Sequence, residues 1–421
     1  MSMTSKEFEV EFKGIFIRKK DDDTLRIIYP PFEAIISLKD FLAFLEKNVG
    51  SKEVEVEDNK IIVKGGQKDP KDYIYYYFDT AFRRSLVNMI TGRQTLYIDE
   101  SLEIPLIGSH YFGLIDRGTN LIQVRPITGC NMKCIYCSVS EGPGKDRLVD
   151  YVIDYEFLIK EYEKIVEFKG RHAIEAHIDG QGEPMMYPWI VDLVQELKDV
   201  KGTEIISIQT NGYRLTEKMI SDLESAGLSR VNLSVDSLRD DKIKLINGVP
   251  VSSNFIKKII EAIVNSNIRL LVAPLWIPGI NDDDIIEIIE YVLSLKPKSE
   301  WPIFGIQKYI PYAMGRKPKV KVMTFHKFYA ALRRLEKKYG VKLVLSPKDF
   351  GIHKRKSLPK VFNLHEKVWV RTVLPGRLPN EVIGVARNRL VEITEFLGDL
   401  NTKVRVEILR NKDNIYVARA L

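Results

Sequence analysis

The sequence predicts an α/β protein. A parallel βα array occupies the middle, an α+β module precedes it and a small antiparallel β-barrel follows. Three patterns carry that expectation. From about residue 120, apolar β-branched runs alternate with amphipathic stretches at helical spacing. Before that, short strands with period two are mixed with two helices. After about residue 360, short strands recur with turn residues between them. The expected divisions are 1–115, 116–345, a basic linker 346–360, and 361–421.

In the first division, Phe8 to Ile17, Val54–Glu57 and Ile61–Lys64 alternate as strands do. Helices are expected from Ile36 to Asn48 and from Asp72 to Met89, and no chemical motif stands out. In the second, the strands are Leu121–Arg125, Ala173–Asp179, Glu204–Gln209, Val231–Val235, Ile268–Pro274 and Ile303–Lys308. Helices fall near 154–168, 188–199, 216–226, 253–265 and 282–294. Thr216 and the Asn281-Asp-Asp-Asp run place caps and acids where helix N-termini favour them. Five crossovers joining six strands describe either an open barrel or a doubly wound sheet. Both gather their chemistry at the C-terminal strand ends. In the tail, Lys367 to Leu374, Glu381 to Ala386, Lys403 to Leu409 and Asn414 to Arg419 read as barrel strands.

The chain has 421 residues, is 45% hydrophobic, and is large enough for one big core with appended domains. No apolar run is long enough to span a bilayer, and the opening Met1-Ser-Met-Thr-Ser-Lys-Glu lacks the apolar centre of a signal peptide. A cytoplasmic protein with no membrane partner is expected. The net charge of +7 is unevenly spread: residues 301–421 hold 26 Lys+Arg against 9 Asp+Glu, while the first 300 are net acidic. A basic last third on an acidic body fits a polyanionic partner; a solvated Lys-rich surface is the alternative.

All 3 cysteines lie in one loop, Cys130-Asn-Met-Lys-Cys134-Ile-Tyr-Cys137, directly after the first core strand. Three thiolates with no fourth leave one metal corner open, whereas a structural zinc site is closed by four ligands. A zinc knuckle completed by His177 or His172 is the alternative. The CxxxCxxC loop, with aromatic Tyr136 before its last cysteine, resembles that of the radical SAM superfamily. The segment Asp179-Gly180-Gln181-Gly182-Glu183-Pro184 after the second strand resembles that family's glycine-rich turn. Thr210-Asn211-Gly212 after the third resembles its T-N-G turn. Asn232-Leu-Ser234-Val-Asp236-Ser237 after the fourth resembles the molybdenum-cofactor-protein-A-like branch, and Pro274 to Asn281 is similar to its Pro-Gly-x-Asn turn.

The resemblance implies a partial (β/α)6 barrel with one 4Fe–4S cluster on Cys130, Cys134 and Cys137. Its open iron would be chelated by S-adenosylmethionine, which is cleaved to a 5′-deoxyadenosyl radical. Tyr136 would flank the adenine, and Gly180, Gly182, Glu183 and Pro184 would receive the methionine end. Thr210, Asn211, Ser234 and Asp236 would meet ribose or carboxylate; helix capping is the alternative for Ser234 and Asp236. Tyr309, Tyr312 and Arg316, after the sixth strand, combine aromatics and bases as nucleobase sites do, or else form a packed aromatic edge.

The last sixty or so residues resemble a TRAM domain, an RNA-binding module. There Arg371, Arg377, Arg387, Arg389, Arg405 and Arg410 would hold phosphates, Arg371, Arg387 and Arg405 foremost. A barrel that only stabilises the core is the alternative. With no cysteine outside the motif, a second cysteine-held cluster is excluded, and with it sulfur donation from one. The function expected is modification of an RNA nucleoside, in tRNA first, with ferredoxin or flavodoxin as electron donor. A small molecule or peptide substrate, and a zinc-containing RNA-binding protein, are the alternatives.

Overall fold

A computed structural model describes residues 6–421; the opening segment Met1–Ser5, part of the signal-peptide reading, lies outside the described residues. The chain forms two compact units. One runs to Ile98 and includes Val149–Val152; the other comprises Asp99–Leu148 and Ile153–Leu421.

The first unit contains a three-stranded antiparallel sheet in the order Glu7–Glu11, Lys60–Lys64, Glu53–Glu57. A second sheet runs Phe16–Lys19, Thr24–Tyr29, Phe32–Ser37, Val87–Asn88, Arg93–Ile98, with Asp150–Ile153 at its edge. Helices Leu38–Val49 and Lys71–Ser85 supply Phe41, Leu45, Ile74 and Phe78 to the core. Ser37 caps the first helix by accepting the Asp40 N–H at 3.2 Å, and Gly50 ends it in the left-handed region. The alternating stretch from Phe8 to Ile17 breaks into two strands, because Gly14 takes a φ of +78°.

In the second unit, five strands lie parallel in the order Arg269–Val272, Arg230–Leu233, Thr203–Thr210, Ile174–Ile178, Leu121–Arg125, and Gly113–Asp116 adds an antiparallel edge. The helices between them are Tyr155–Lys169, Ile190–Asp199, Glu217–Ser225, Ser253–Asn265 and Asp282–Ser294. Thr216 caps its helix through the Met219 N–H at 3.1 Å. Asn281 does not cap. Its amide instead accepts the Ile277 N–H at 2.7 Å and donates to the carbonyls of Asp236 and Leu275, fastening the Pro-Gly turn. The sixth strand follows the fifth in parallel, through Phe304 beside Val272 and then Gln307–Lys308 beside Leu275–Trp276. Pro274, which has no N–H to give, separates the two patches. A helix at Asp240–Asn247 and another at Phe325–Tyr339 were not expected from the sequence.

Five strands close the C-terminal barrel in the order Lys367–Pro375, Val382–Ala386, Arg389–Thr394, Val417–Ala420, Lys403–Arg410. One pair, Arg389–Thr394 with Val417–Ala420, is parallel. The third strand escaped the sequence reading. It follows a tight turn in which Arg387 and Asn388 both have positive φ, formed without the Asn-Gly signal such turns usually show. The basic stretch before the barrel is held by the core: the His353 carbonyl accepts from Asn120, and Arg355 donates its N–H to Gly118. Lys169, fully buried, donates to Asp116 at 2.7 Å and to the carbonyls of Thr119 and Lys356.

The barrel also docks through Glu392, buried at 1% exposure, which accepts from Ser109 Oγ at 2.7 Å and the His110 N–H at 2.6 Å. The His110 ring meets its other oxygen at 2.5 Å. Among the described residues, no helix is long and apolar enough to cross a membrane. Removing the Glu392 carboxylate leaves buried donors unpaired, so Glu392→Ala should cost about 3 kcal/mol. The thermal midpoint should fall clearly in that variant and barely in Glu395→Ala, an exposed acid three residues on.

Candidate active site

The three cysteines reach one cavity because the loop that carries them is pinned on every side. Before it, Gly129 bridges Gly182 in parallel, and the Glu183 N–H donates to the Gly129 carbonyl at 2.8 Å. A Cβ on Gly182 would stand 2.1 Å from that carbonyl oxygen, so the approach requires glycine. Within the loop, the N–H groups of Lys133 and Ile135 donate to Asn247 and Ile246, at the end of the unexpected helix. After it, the Arg316 N–H donates to the Cys137 carbonyl at 2.9 Å, and the Arg316 guanidinium bonds the carbonyls of Cys134 and Glu141.

The cavity these elements enclose has a volume of about 490 Å³. Cys130, Cys134, Tyr136 and Cys137 line one side. His177, Asp179, Gly180 and Gly182 come from the second strand and its turn. Gln209, Ser234 and Leu275 come from the next three strand ends, and Lys308, Tyr309 and Tyr312 from the sixth. Asp179 is held by Arg125 through two bonds of 3.0 and 3.1 Å and by Gln123. Burial pushes that carboxyl up, but the Arg125 charge and these bonds outweigh it and keep it below the usual carboxylate range. His177 is held below its ordinary value, chiefly by burial, and sits 2.8 Å from Ser207 Oγ.

Several residues expected at the cofactor stand one layer back. Glu183, 2% exposed, accepts from Thr210 Oγ at 2.6 Å, the Asn211 N–H at 2.8 Å and the Met185 N–H at 2.9 Å. It thus welds the second turn to the third, with Pro184 starting a short buried 3₁₀ turn behind it. Asn211 donates to Asn131 inside the cysteine loop at 2.8 Å. Asp236 accepts from Tyr136 Oη at 2.5 Å and from the Leu275 N–H at 2.8 Å, and so orients the tyrosine rather than facing the cavity. Ser234 does face it, accepting from Gln209 at 2.8 Å. Arg316 is committed to the cysteine loop.

Among the expected phosphate-holding arginines, Arg371 and Arg405 lie exposed on the barrel. Arg387 is exposed but already paired with the Val361 carbonyl and Glu366, each at 2.7 Å. Arg377 and Arg389 are buried, which removes both from that role. Sequence reasoning missed Gln209 in the cavity and Glu141 behind the cysteines, and gave Arg377 a phosphate as partner rather than Glu141. Gln209 ends a core strand, which was the available signal; Glu141 gave none.

These features define a class: a parallel α/β barrel with a three-cysteine loop and a glycine-rich second turn at its strand ends. Residues 124–292 match the Radical SAM superfamily. The chain is 44% identical over 403 residues to the uncharacterized protein MJ0103 of Methanocaldococcus jannaschii, across 89% of this chain and 92% of that one. It is 34% identical over 172 residues to the GTP 3′,8-cyclase of Thermodesulfovibrio yellowstonii, across 40% of this chain and 51% of the cyclase. It thus spans about half the length of that cyclase. Streptococcus suis SuiB matches 79% of this chain and 71% of its own at 14% identity, with a TM-score of 0.41.

The chain belongs to the radical SAM superfamily and is an enzyme. Its cofactors are those of the family, a 4Fe–4S cluster and S-adenosylmethionine, and the family needs a reductant. The residues present fit that pair. Three sulfurs share one cavity wall, and Met132 and Glu141 aim N–H groups at the sulfurs of Cys130 and Cys137, at 3.4 and 3.2 Å. Nearby, Gln181 Oε1 and Tyr309 Oη are buried without a partner. Family membership overturns the zinc reading. His172 is exposed and bonded to Arg355, and among the described residues no three His, Cys, Asp or Glu converge on a single-ion position. Burial pushes the thiols of Cys130 and Cys134 well up without metal, so loading must release protons.

Two outcomes follow. Gly182→Ala should lose most of its iron and sulfide on anaerobic reconstitution. Gly305→Ala, whose Cβ would make only ordinary contacts, should keep wild-type content. Burial raises the Asp236 carboxyl to about 6. A folded value above the unfolded one means its stabilising contribution is complete below about pH 4. That contribution disappears as pH rises through about 6. Thermal melts of metal-free Asp236→Asn should therefore lose less stability than wild type between pH 4 and pH 7.

Proposed function

We propose that this enzyme modifies a nucleoside within RNA, tRNA being the first candidate, with a single cluster and no auxiliary one. The observation that carries the RNA reading is one face of the barrel. Trp369 is 65% exposed, paired across the strands with Arg405. Lys367 and Arg371 point the same way two residues to either side, and Lys403 stands opposite Arg371. An exposed ring framed by cations stacks a base and grips phosphates without reading sequence. The net positive charge of residues 301–421 extends that attraction. Relatives named GTP 3′,8-cyclase support a nucleoside-sized reacting group. The same likeness favours the second reading, a free small molecule.

In this proposal Cys130, Cys134 and Cys137 hold the cluster. The backbone at Gly180 and Gly182, with Gln181, meets the methionine end. Tyr136 flanks the adenine, held by Asp236, and Ser234 with Gln209 faces the ribose. Glu183, Thr210 and Asn211 keep these turns in register. Tyr309, Tyr312 and Lys308 receive the substrate. When bound, the cofactor pair supplies a 5′-deoxyadenosyl radical, with ferredoxin or flavodoxin as the electron source.

Reconstituted protein with dithionite should form 5′-deoxyadenosine, and Cys134→Ala should form none; turnover in that variant would contradict the ligand set. Trp369→Ala should weaken RNA binding about tenfold, the loss of one base stack. Arg405→Ala should lower the salt slope by about 0.7. Unchanged RNA affinity when Trp369→Ala and Arg405→Ala are combined would leave the small-molecule reading.

A further inference from the structure

Directly behind the cysteine loop, the deepest charged contact of the barrel meets the nearest backbone donor to the cluster site. Arg377, at the end of the barrel's first hairpin, is 0% exposed, and Glu141, four residues after Cys137, is 2% exposed. Nη1 donates to Glu141 Oε1 and Nη2 to Oε2, the latter at 3.1 Å. The two residues are 236 positions apart, so nothing local forces the pair. Arg377 is itself fixed: its N–H donates to Glu381 at 2.9 Å, and its carbonyl accepts from Leu148.

Glu141 is the residue whose N–H donates to Cys137 Sγ at 3.2 Å. The turn around it has no slack. Ser140 has a φ of +51°, and a Cβ on Gly142 would lie 1.9 Å from the Met132 carbonyl oxygen. Glu141 thus carries both the carboxylate that Arg377 holds and the N–H that faces Cys137. By contrast, the N–H facing Cys130 comes from Met132, inside the loop itself.

We propose that Arg377 is a positioning residue for the cysteine loop: by anchoring Glu141 it holds an N–H on the sulfur of Cys137 and so raises the cluster's reduction potential. The proposal rests on Cys137 being a cluster ligand. A sulfur that accepts a hydrogen bond gives less charge to iron, which eases reduction. A buried ion pair is poor stabilisation compared with apolar residues of similar volume, so a purely structural joint needs no charges. The C-terminal barrel is in this way part of the electron-accepting site as well as a docking module.

The test is EPR-monitored redox titration of the reconstituted full-length protein. Arg377→Met should shift the midpoint to more negative potential, and Arg377→Lys should recover part of the shift. The double variant Arg377→Met with Glu141→Leu, an apolar pair, should regain thermal stability while its midpoint stays shifted. A double variant that regains the wild-type midpoint would overturn the proposal, because the pair would then be a joint only. So would Arg377→Met with wild-type circular dichroism and an unmoved midpoint. Absence of any cluster signal in wild type would instead overturn the ligand reading, and this proposal with it.

Discussion

The site depends on a backbone contact that no side chain could replace. Gly129 and Gly182 lie against each other at the ends of the first two core strands, close enough that a Cβ on Gly182 would overlap a carbonyl oxygen. That contact sets where Cys130 begins its loop. It also delivers Glu183 to the third strand end, where one buried carboxylate gathers Thr210, Asn211 and Met185. Three successive turns are thereby fixed relative to one another before any cofactor arrives. Rigid first positions are what a cluster site needs, because the cofactor's chemistry is its own and the protein's part is placement.

A second layer of buried charges performs the same task from outside. Asp236 orients Tyr136, Arg125 holds Asp179, and Arg316 takes two carbonyls of the cysteine loop. In each case a group that would be costly to bury alone is paired with one that must not move. Tyr309 Oη on the cavity wall and Gln181 Oε1 in the adjoining glycine turn are left buried without a partner. Unpaired buried groups beside an open cavity suit a ligand that completes their hydrogen bonds.

The core was legible because parallel strands are buried on both faces and read as apolar runs between capped helices. Leu121–Arg125 came out with the ends expected, and the cysteine loop and glycine turn fell at strand ends as a βα array requires. What stayed hidden was long-range. Glu183 looks in sequence like a ligand at a glycine turn, yet its partners are on the next strand. Arg316 and Arg377 look like surface cations in a basic tail, yet both turn inward onto the cysteine loop. Periodicity reports which face is buried; it does not report which distant carboxylate waits there. The helix Asp240–Asn247 was missed because it is short and polar, with Arg239 in place of a capping residue. On the barrel, Trp369 was read only as an alternating strand residue. Its exposure is a fact of tertiary structure.

The strand-end turns carry the cofactor site, and a separate charged face lies on the barrel. On the proposed function, the radical made at the strand ends is used on a nucleoside brought by the barrel. Mass spectrometry of nucleosides digested from RNA tests it most directly, comparing wild-type cells with a strain lacking this protein. One modified nucleoside should disappear from the deletion strain, return with the wild-type chain and fail to return with Cys134→Ala. Identical nucleoside profiles in all four strains would contradict it.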